Sequence, residues 1–185
     1  MSHYFIAIQL PREVQTNLFV YQEKLKEQLS YKQWSHREDL HITLKFLGEV
    51  ESNNLQQLIK KLQEIQEVPP FDLNVGGIGI FGNPKKPRVL WAGVEHTDGL
   101  SKLQQSVEEC TVQIGIEKEK REYRPHITLA KKWAGEDTLA KDTLSLLQEK
   151  FNQIEKMHVA DVVLFRIHPA EAPKYEVMER FALKQ

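Results

Sequence analysis

Apolar positions along the chain keep two rhythms, a period of two that marks strands and a period near 3.6 that marks helices. Phe5 to Leu10 (FIAIQL) reads as a strand, and after Pro11 the residues Val14, Leu18, Tyr21, Leu25 and Leu29 recur at helical spacing. A strand at His41–Leu44 follows, then a helical pattern of Leu55, Leu58, Ile59, Leu62 and Ile65, then the strand-like FDLNVGGIGI from Phe71. The second half repeats that order. LWAGV opens at Leu90, and a helix follows with Leu100, Leu103, Val107, Cys110 and Ile114, capped by Thr97 or Asp98 and closed at Gly115. Next come a strand at His126–Leu129, a helix with Leu139, Thr143, Leu146, Leu147 and Phe151, and HVADVVLFRI from His158 as the closing strand. YEVMERFAL from Tyr175 adds a terminal strand. From Phe5 to His41 is 36 residues, and from Leu90 to His126 is 36 again. The parse predicts an α+β fold made by internal duplication, one bilobal domain over residues 1–185 with halves at about 1–84 and 85–185.

The tetrapeptide His-Ile-Thr-Leu stands at the same place in both halves. Side chains on a strand alternate faces, so His41 with Thr43, and His126 with Thr128, share one side while the Ile and Leu residues face a core. If the lobes pack about a pseudo-twofold axis, the two polar faces converge on a groove. Imidazole titrates near pH 6.5, so such a pair can supply a base and an acid together. Phosphodiester hydrolysis needs that combination: a neutral ring takes a proton from water and an imidazolium protonates the departing oxygen, with hydroxyls beside the phosphate. Thr43 and Thr128 are the candidate phosphate-binding hydroxyls. Arg124 shares the parity of His126 and is a further candidate, although Pro125 intervenes.

Other residues near the motifs have plainer readings. Phe46 falls on the parity of Ile42 and Leu44, so it is expected in the core; Trp34, Tyr123 and Trp133 are expected to pack rather than to stack a base. His3, His36, His96, His158 and His168 are expected to be surface or structural. Gly77, Gly79 and Gly82 satisfy G-x-G-x-x-G, but Asn83-Pro84-Lys85-Lys86-Pro87 cannot open the helix that a dinucleotide site requires, so these glycines mark a strand end and bend. With no His-Glu-x-x-His and no cysteine pair, neither a metal nor another cofactor is expected.

With 185 residues, 41% of them hydrophobic, the chain can bury a sizeable core. A formal net charge of -1 excludes general polyanion binding by bulk electrostatics, although Lys118, Lys120, Arg121, Arg124, Lys131 and Lys132 flank the second motif. A single cysteine, Cys110, forbids an internal disulfide and fits a reducing compartment. The apolar opening run is too short for a signal-peptide core or a membrane span, so a cytoplasmic protein without membrane association, most simply a monomer, is expected.

FIAIQLP, DLHITLKFLGEV, PRVLWAGV, YRPHITLAKK and KYEVMERFAL together resemble the two-histidine phosphoesterase superfamily, in particular its RNA 2′,3′-cyclic phosphodiesterase or 2′-5′ RNA ligase-like branch. The resemblance implies two pseudo-symmetric lobes of mainly antiparallel sheet with helices outside and a central groove lined by the His-x-Thr strands. It also implies metal-independent opening of 2′,3′-cyclic phosphates on RNA or nucleotide ends to 2′-phosphates, with the reverse 2′-5′ ligation within the same chemistry. Carried over, His41 is the proton donor, His126 the acceptor, and Thr43 and Thr128 bind phosphate. The family's Arg five residues past the second His is Lys131 here, which keeps the charge and loses the bidentate fork. The competing expectations are a non-catalytic module that grips RNA ends or phosphates, and a hydrolase of another cyclic phosphate such as that of ADP-ribose.

Overall fold

The computed structural model describes residues 2–184. In chain order the elements are β1 (His3–Gln9), α1 (Arg12–Leu25), β2 (Tyr31–Trp34), β3 (His41–Glu49), α2 (Ser52–Leu62), β4 (Phe71–Phe81), β5 (Val89–Val94), α3 (Asp98–Gln113), β6 (His126–Trp133), α4 (Lys141–Lys150), β7 (Ile154–Val159), β8 (Asp161–Ile167) and β9 (Tyr175–Ala182). They build an α+β fold of two antiparallel sheets, ordered β3-β1-β8-β9 and β2-β6-β5-β4-β7. Each sheet sets its His strand beside the opening strand of the same sequence half and then a strand from the other half: β8 lies against β1, and β4 against β5. The strands that close each half therefore lock the lobes together.

The continuous apolar run of β1 follows from burial on both faces. Tyr4, Ile6 and Ile8 join the main core, which also takes Val14, Leu18 and Leu25 of α1 and Leu100, Leu103 and Val107 of α3. Phe5 and Ala7 point to the opposite side, where they cluster with Val163 and Phe165. That second cluster floors one side of the groove. Thr97 caps α3 by accepting the Leu100 N–H at 3.1 Å, and Gly115 follows the helix with φ +91°, as the sequence signals anticipate.

Three local expectations fail. The stretch from His158 is two strands, not one: β7 pairs with β4 and β8 with β1, with the chain changing sheets at Ala160. Both strands bury apolar residues, so the hydrophobic pattern runs through the break unmarked. Leu146 is 65% exposed despite its place in the helical pattern, because α4 buries only a narrow stripe around Leu147. Phe46 is not in the core.

The third failure has a single cause, repeated in both lobes. In β3, Ala7 opposes Thr43 while Ile6 opposes Lys45, so Leu44 is an extra residue; in β6, Trp91 opposes Thr128 while Leu90 opposes Ala130, so Leu129 is extra. These are β-bulges, and past each one the faces of the strand exchange. Lys45 (6% exposed) and Ala130 turn inward, while Phe46 (66% exposed) and Lys131 turn out to the side that bears the histidines. The Leu129 carbonyl finds partners off the ladder, accepting the Ser35 N–H at 3.0 Å and the Gln22 side-chain amide at 2.9 Å. The inverted Lys45 is met by Glu108 of α3, whose two carboxylate oxygens lie 3.1 and 3.0 Å from the ammonium, and by the Glu117 carbonyl at 2.6 Å.

Candidate active site

His41 and His126 are the first residues of β3 and β6, the two strands that meet at the groove. Each ring is held the same way. The His41 Nδ1–H donates to the Asp39 carbonyl at 2.7 Å and the His126 Nδ1–H to the Arg124 carbonyl at 2.7 Å, in both cases the residue two places earlier. A carbonyl only accepts, so Nδ1 carries a hydrogen on both rings and Nε2 is the nitrogen that the backbone leaves unengaged. His41 Nε2 lies 2.8 Å from the Thr43 hydroxyl.

The strands are cross-braced at the threonines. Tyr123, just ahead of the second motif, donates its hydroxyl to the Thr43 carbonyl at 2.9 Å; Ser35, ahead of the first, donates to the Thr128 carbonyl at 2.9 Å. Each approach segment thus grips the other lobe's motif strand. Side chains of both threonines remain half-buried on the histidine side.

Surroundings of the two rings differ. His41 sits against Phe5 (4.8 Å between centroids), Tyr175 (5.3 Å, edge-on) and Phe165 (6.3 Å). Burial drives its pKa down to about 4, opposed by the Asp39 carbonyl and assisted by the nearby positive charges of His126 and Lys131. His126 packs edge-on against Phe81 at 4.9 Å; burial lowers its pKa too, opposed by the Arg124 carbonyl. In the free protein at neutral pH, therefore, the His41 ring is neutral.

Lys131 reaches the groove through the bulge at Leu129, which corrects the strict alternation that would put it on the opposite face from His126. Burial lowers its pKa, with the charges of Lys174 and Lys132 adding to the effect. Arg124 lies in the loop before β6 with its side chain exposed. It borders a recess of about 400 Å³ beside His126 that Phe81, Trp91, His96 and Tyr123 also line. Gly79 leaves room for the Trp91 indole, since a Cβ there would collide with it. A larger recess of about 580 Å³ lies along the hairpin that joins β8 to β9 and shares Tyr175 with the site.

Trp34, Tyr123 and Trp133 pack against the core as expected. Of the histidines set aside, His3, His158 and His168 face carboxylates of Glu49, Asp72 and Glu176, His36 accepts the Glu38 N–H, and His96 pairs with Ser101 while bordering the recess. Among the described residues no cluster of His, Cys, Asp or Glu could hold a metal, and no helix is long and apolar enough to cross a membrane.

Sequence reasoning missed Asp39. Its buried carboxylate accepts the backbone N–H groups of Lys174 (2.8 Å) and Tyr175 (3.2 Å), pinning the β8–β9 hairpin over the first motif while its carbonyl orients His41. An Asp two residues before the motif His, on the same parity, was the available signal; the partners lie 135 and 136 residues away.

The family model for LigT-like phosphoesterases matches residues 8–91 and 93–175. A Bacillus subtilis protein named RNA 2′,3′-cyclic phosphodiesterase is 35% identical, with 98% of this chain and 96% of that protein aligned. A Methanothermobacter thermautotrophicus protein of the same name is 31% identical over 97% of each chain. A Geobacillus stearothermophilus protein, also so named, is 33% identical over 98% of this chain, which spans 57% of that protein's length. The crystal structure of E. coli LigT complexed with 3′-AMP superposes over 100% of this chain and 99% of its own with a TM-score of 0.81 at 24% identity, a likeness of fold. With the family model covering residues 8–91 and 93–175 and two of these relatives matched over nearly their whole length, the chain belongs to the LigT-like phosphoesterase family.

Proposed function

We propose that the chain opens the 2′,3′-cyclic phosphate at the end of an RNA or nucleotide, leaving a 2′-phosphomonoester, with His126 as base and His41 as acid. His126 Nε2 takes a proton from water as the water oxygen attacks phosphorus. The bond from phosphorus to the 3′ oxygen breaks opposite the incoming water, and His41 Nε2–H delivers the proton that the 3′ oxygen needs. Solvent then resets both rings. The hydroxyls of Thr43 and Thr128 and the ammonium of Lys131 stabilise the charge that gathers on the non-bridging oxygens, and Arg124 approaches from the His126 side. The observation that carries this reading is the matched Nδ1–carbonyl anchoring, which leaves Nε2 as the working atom of both rings. Relatives named for the same reaction support it, and the two stretches matched by the family model support the reading of a duplicated chain. The direct test is incubation of a nucleoside 2′,3′-cyclic phosphate with the protein in excess chelator. The 2′-monoester is expected; intact substrate, or the 3′-monoester as main product, would refute the reading.

A pH signature follows from the burial of His41. The acid must be protonated, yet in the free protein its pKa is held near 4, so protonated His41 becomes scarcer as pH rises above that value. A bound phosphodiester anion favours the imidazolium and raises the value in the complex. The alkaline limb of kcat, which reports the complex, is expected at least about one pH unit above that of kcat/KM, which reports the free protein. These limbs belong to the coupled pair of rings. Coincident limbs would show that His41 is not charged by the substrate.

A further inference from the structure

The fifth residue past the motif histidine is Phe46 in one lobe and Lys131 in the other, and the paired bulges turn both to the groove. Lys131 has company there. The Asp39 carboxylate holds the N–H groups of Lys174 and Tyr175, and the Tyr175 ring stands edge-on to His41, so the start of β9 is fixed at the groove and Lys174 with it. Lys174 is half-buried, and its charge is felt at Lys131.

Neither ammonium group is held by a carboxylate. Among the described residues neither takes part in an ion pair. The Asp39 oxygens are engaged by backbone N–H groups, and Glu171 and Glu176 turn to His168 at 3.8 and 2.5 Å. Like charges kept together cost free energy that an anion between them would offset. The scissile phosphodiester bears one negative charge and already meets two hydroxyls, an imidazolium and Lys131. A second cation beside Lys131 is more than that one group requires. A polynucleotide end brings another phosphate one nucleotide away.

We infer that Lys174, together with Lys131, binds a second phosphate, the internucleotide linkage on the 5′ side of the cyclic phosphate, so that the groove prefers an RNA end to a lone nucleoside cyclic phosphate. This rests on the reading of the groove as a cyclic phosphodiesterase site. The side chain of Lys174 can be changed without touching the backbone N–H that Asp39 holds.

The test compares kcat/KM on a dinucleotide ending in a 2′,3′-cyclic phosphate with kcat/KM on the corresponding nucleoside 2′,3′-cyclic phosphate. In Lys174→Gln the ratio of dinucleotide to nucleoside is expected to fall about tenfold, through KM, as for loss of one charge-assisted hydrogen bond. Lys174→Arg should restore most of it. The salt dependence of dinucleotide KM should lose about 0.7 of its log–log slope, the contribution of one phosphate on a single strand. An unchanged ratio, or an equal loss on both substrates, would overturn the second-phosphate site. Failure of the unmodified protein to turn over either substrate would instead overturn the reading on which it rests.

Discussion

Replacing His41 or His126 by alanine is expected to cut kcat on a nucleoside 2′,3′-cyclic phosphate by about 10²- to 10⁴-fold each, the usual range for a general acid or base. The double variant should fall little below the worse single, because acid and base act in one transition state. Asparagine is the sharper replacement. Its side-chain amide can still donate to the Asp39 or Arg124 carbonyl as Nδ1–H does, yet it cannot exchange a proton at neutral pH. His41→Asn and His126→Asn should therefore keep the native fold, read by circular dichroism, and lose turnover all the same. If either asparagine variant kept more than about a tenth of wild-type kcat, proton transfer at that ring would be excluded as a major part of the rate.

Lys45→Met is expected to be the most destabilising single change named for this chain, by about 3–5 kcal/mol in urea denaturation, because it leaves the Glu108 carboxylate without its partner in the interior. The side chains are 5% and 9% exposed, so water cannot substitute for the lost ammonium. Lys45→Met combined with Glu108→Leu should recover most of that loss, since an apolar pair of similar volume is often as stable as a buried ion pair. Recovery of stability need not bring recovery of activity. Lys45 also holds the Glu117 carbonyl, on the segment that leads to Tyr123, Arg124 and His126, so the double variant is expected to turn over more slowly than wild type. A single variant as stable as wild type would contradict the buried pair.

Much of the candidate site's geometry was legible because the same tetrapeptide repeats on a period-two strand. Ile42, Leu44, Ile127 and Leu129 are all buried, as alternation requires, and His41, Thr43, His126 and Thr128 lie on the other side. Alternation stops being informative one residue later. Nothing in His-Ile-Thr-Leu-Lys-Phe announces that Leu44 is a bulge, so Lys45 and Phe46 exchange the faces that their parity assigns, and Lys131 reaches the groove against its own. A bulge is settled by the partner strand and by distant donors such as the Gln22 side-chain amide and the Ser35 N–H, which a local pattern does not encode. The contact of Asp39 with Lys174 was hidden for a related reason. Their contact spans 135 residues and uses a backbone N–H that every residue but proline possesses. The break between β7 and β8 went unread because both sheets ask for the same apolar residues.

The most direct measurement is a crystal structure of the protein with a nucleoside 2′-monophosphate, the product expected from the groove. Its phosphate should lie within hydrogen-bond reach, about 2.6–3.2 Å, of Nε2 on both His41 and His126 and accept from the hydroxyls of Thr43 and Thr128. A phosphate bound to one imidazole alone, or seated outside the groove with both Nε2 atoms facing water, would contradict catalysis by the pair.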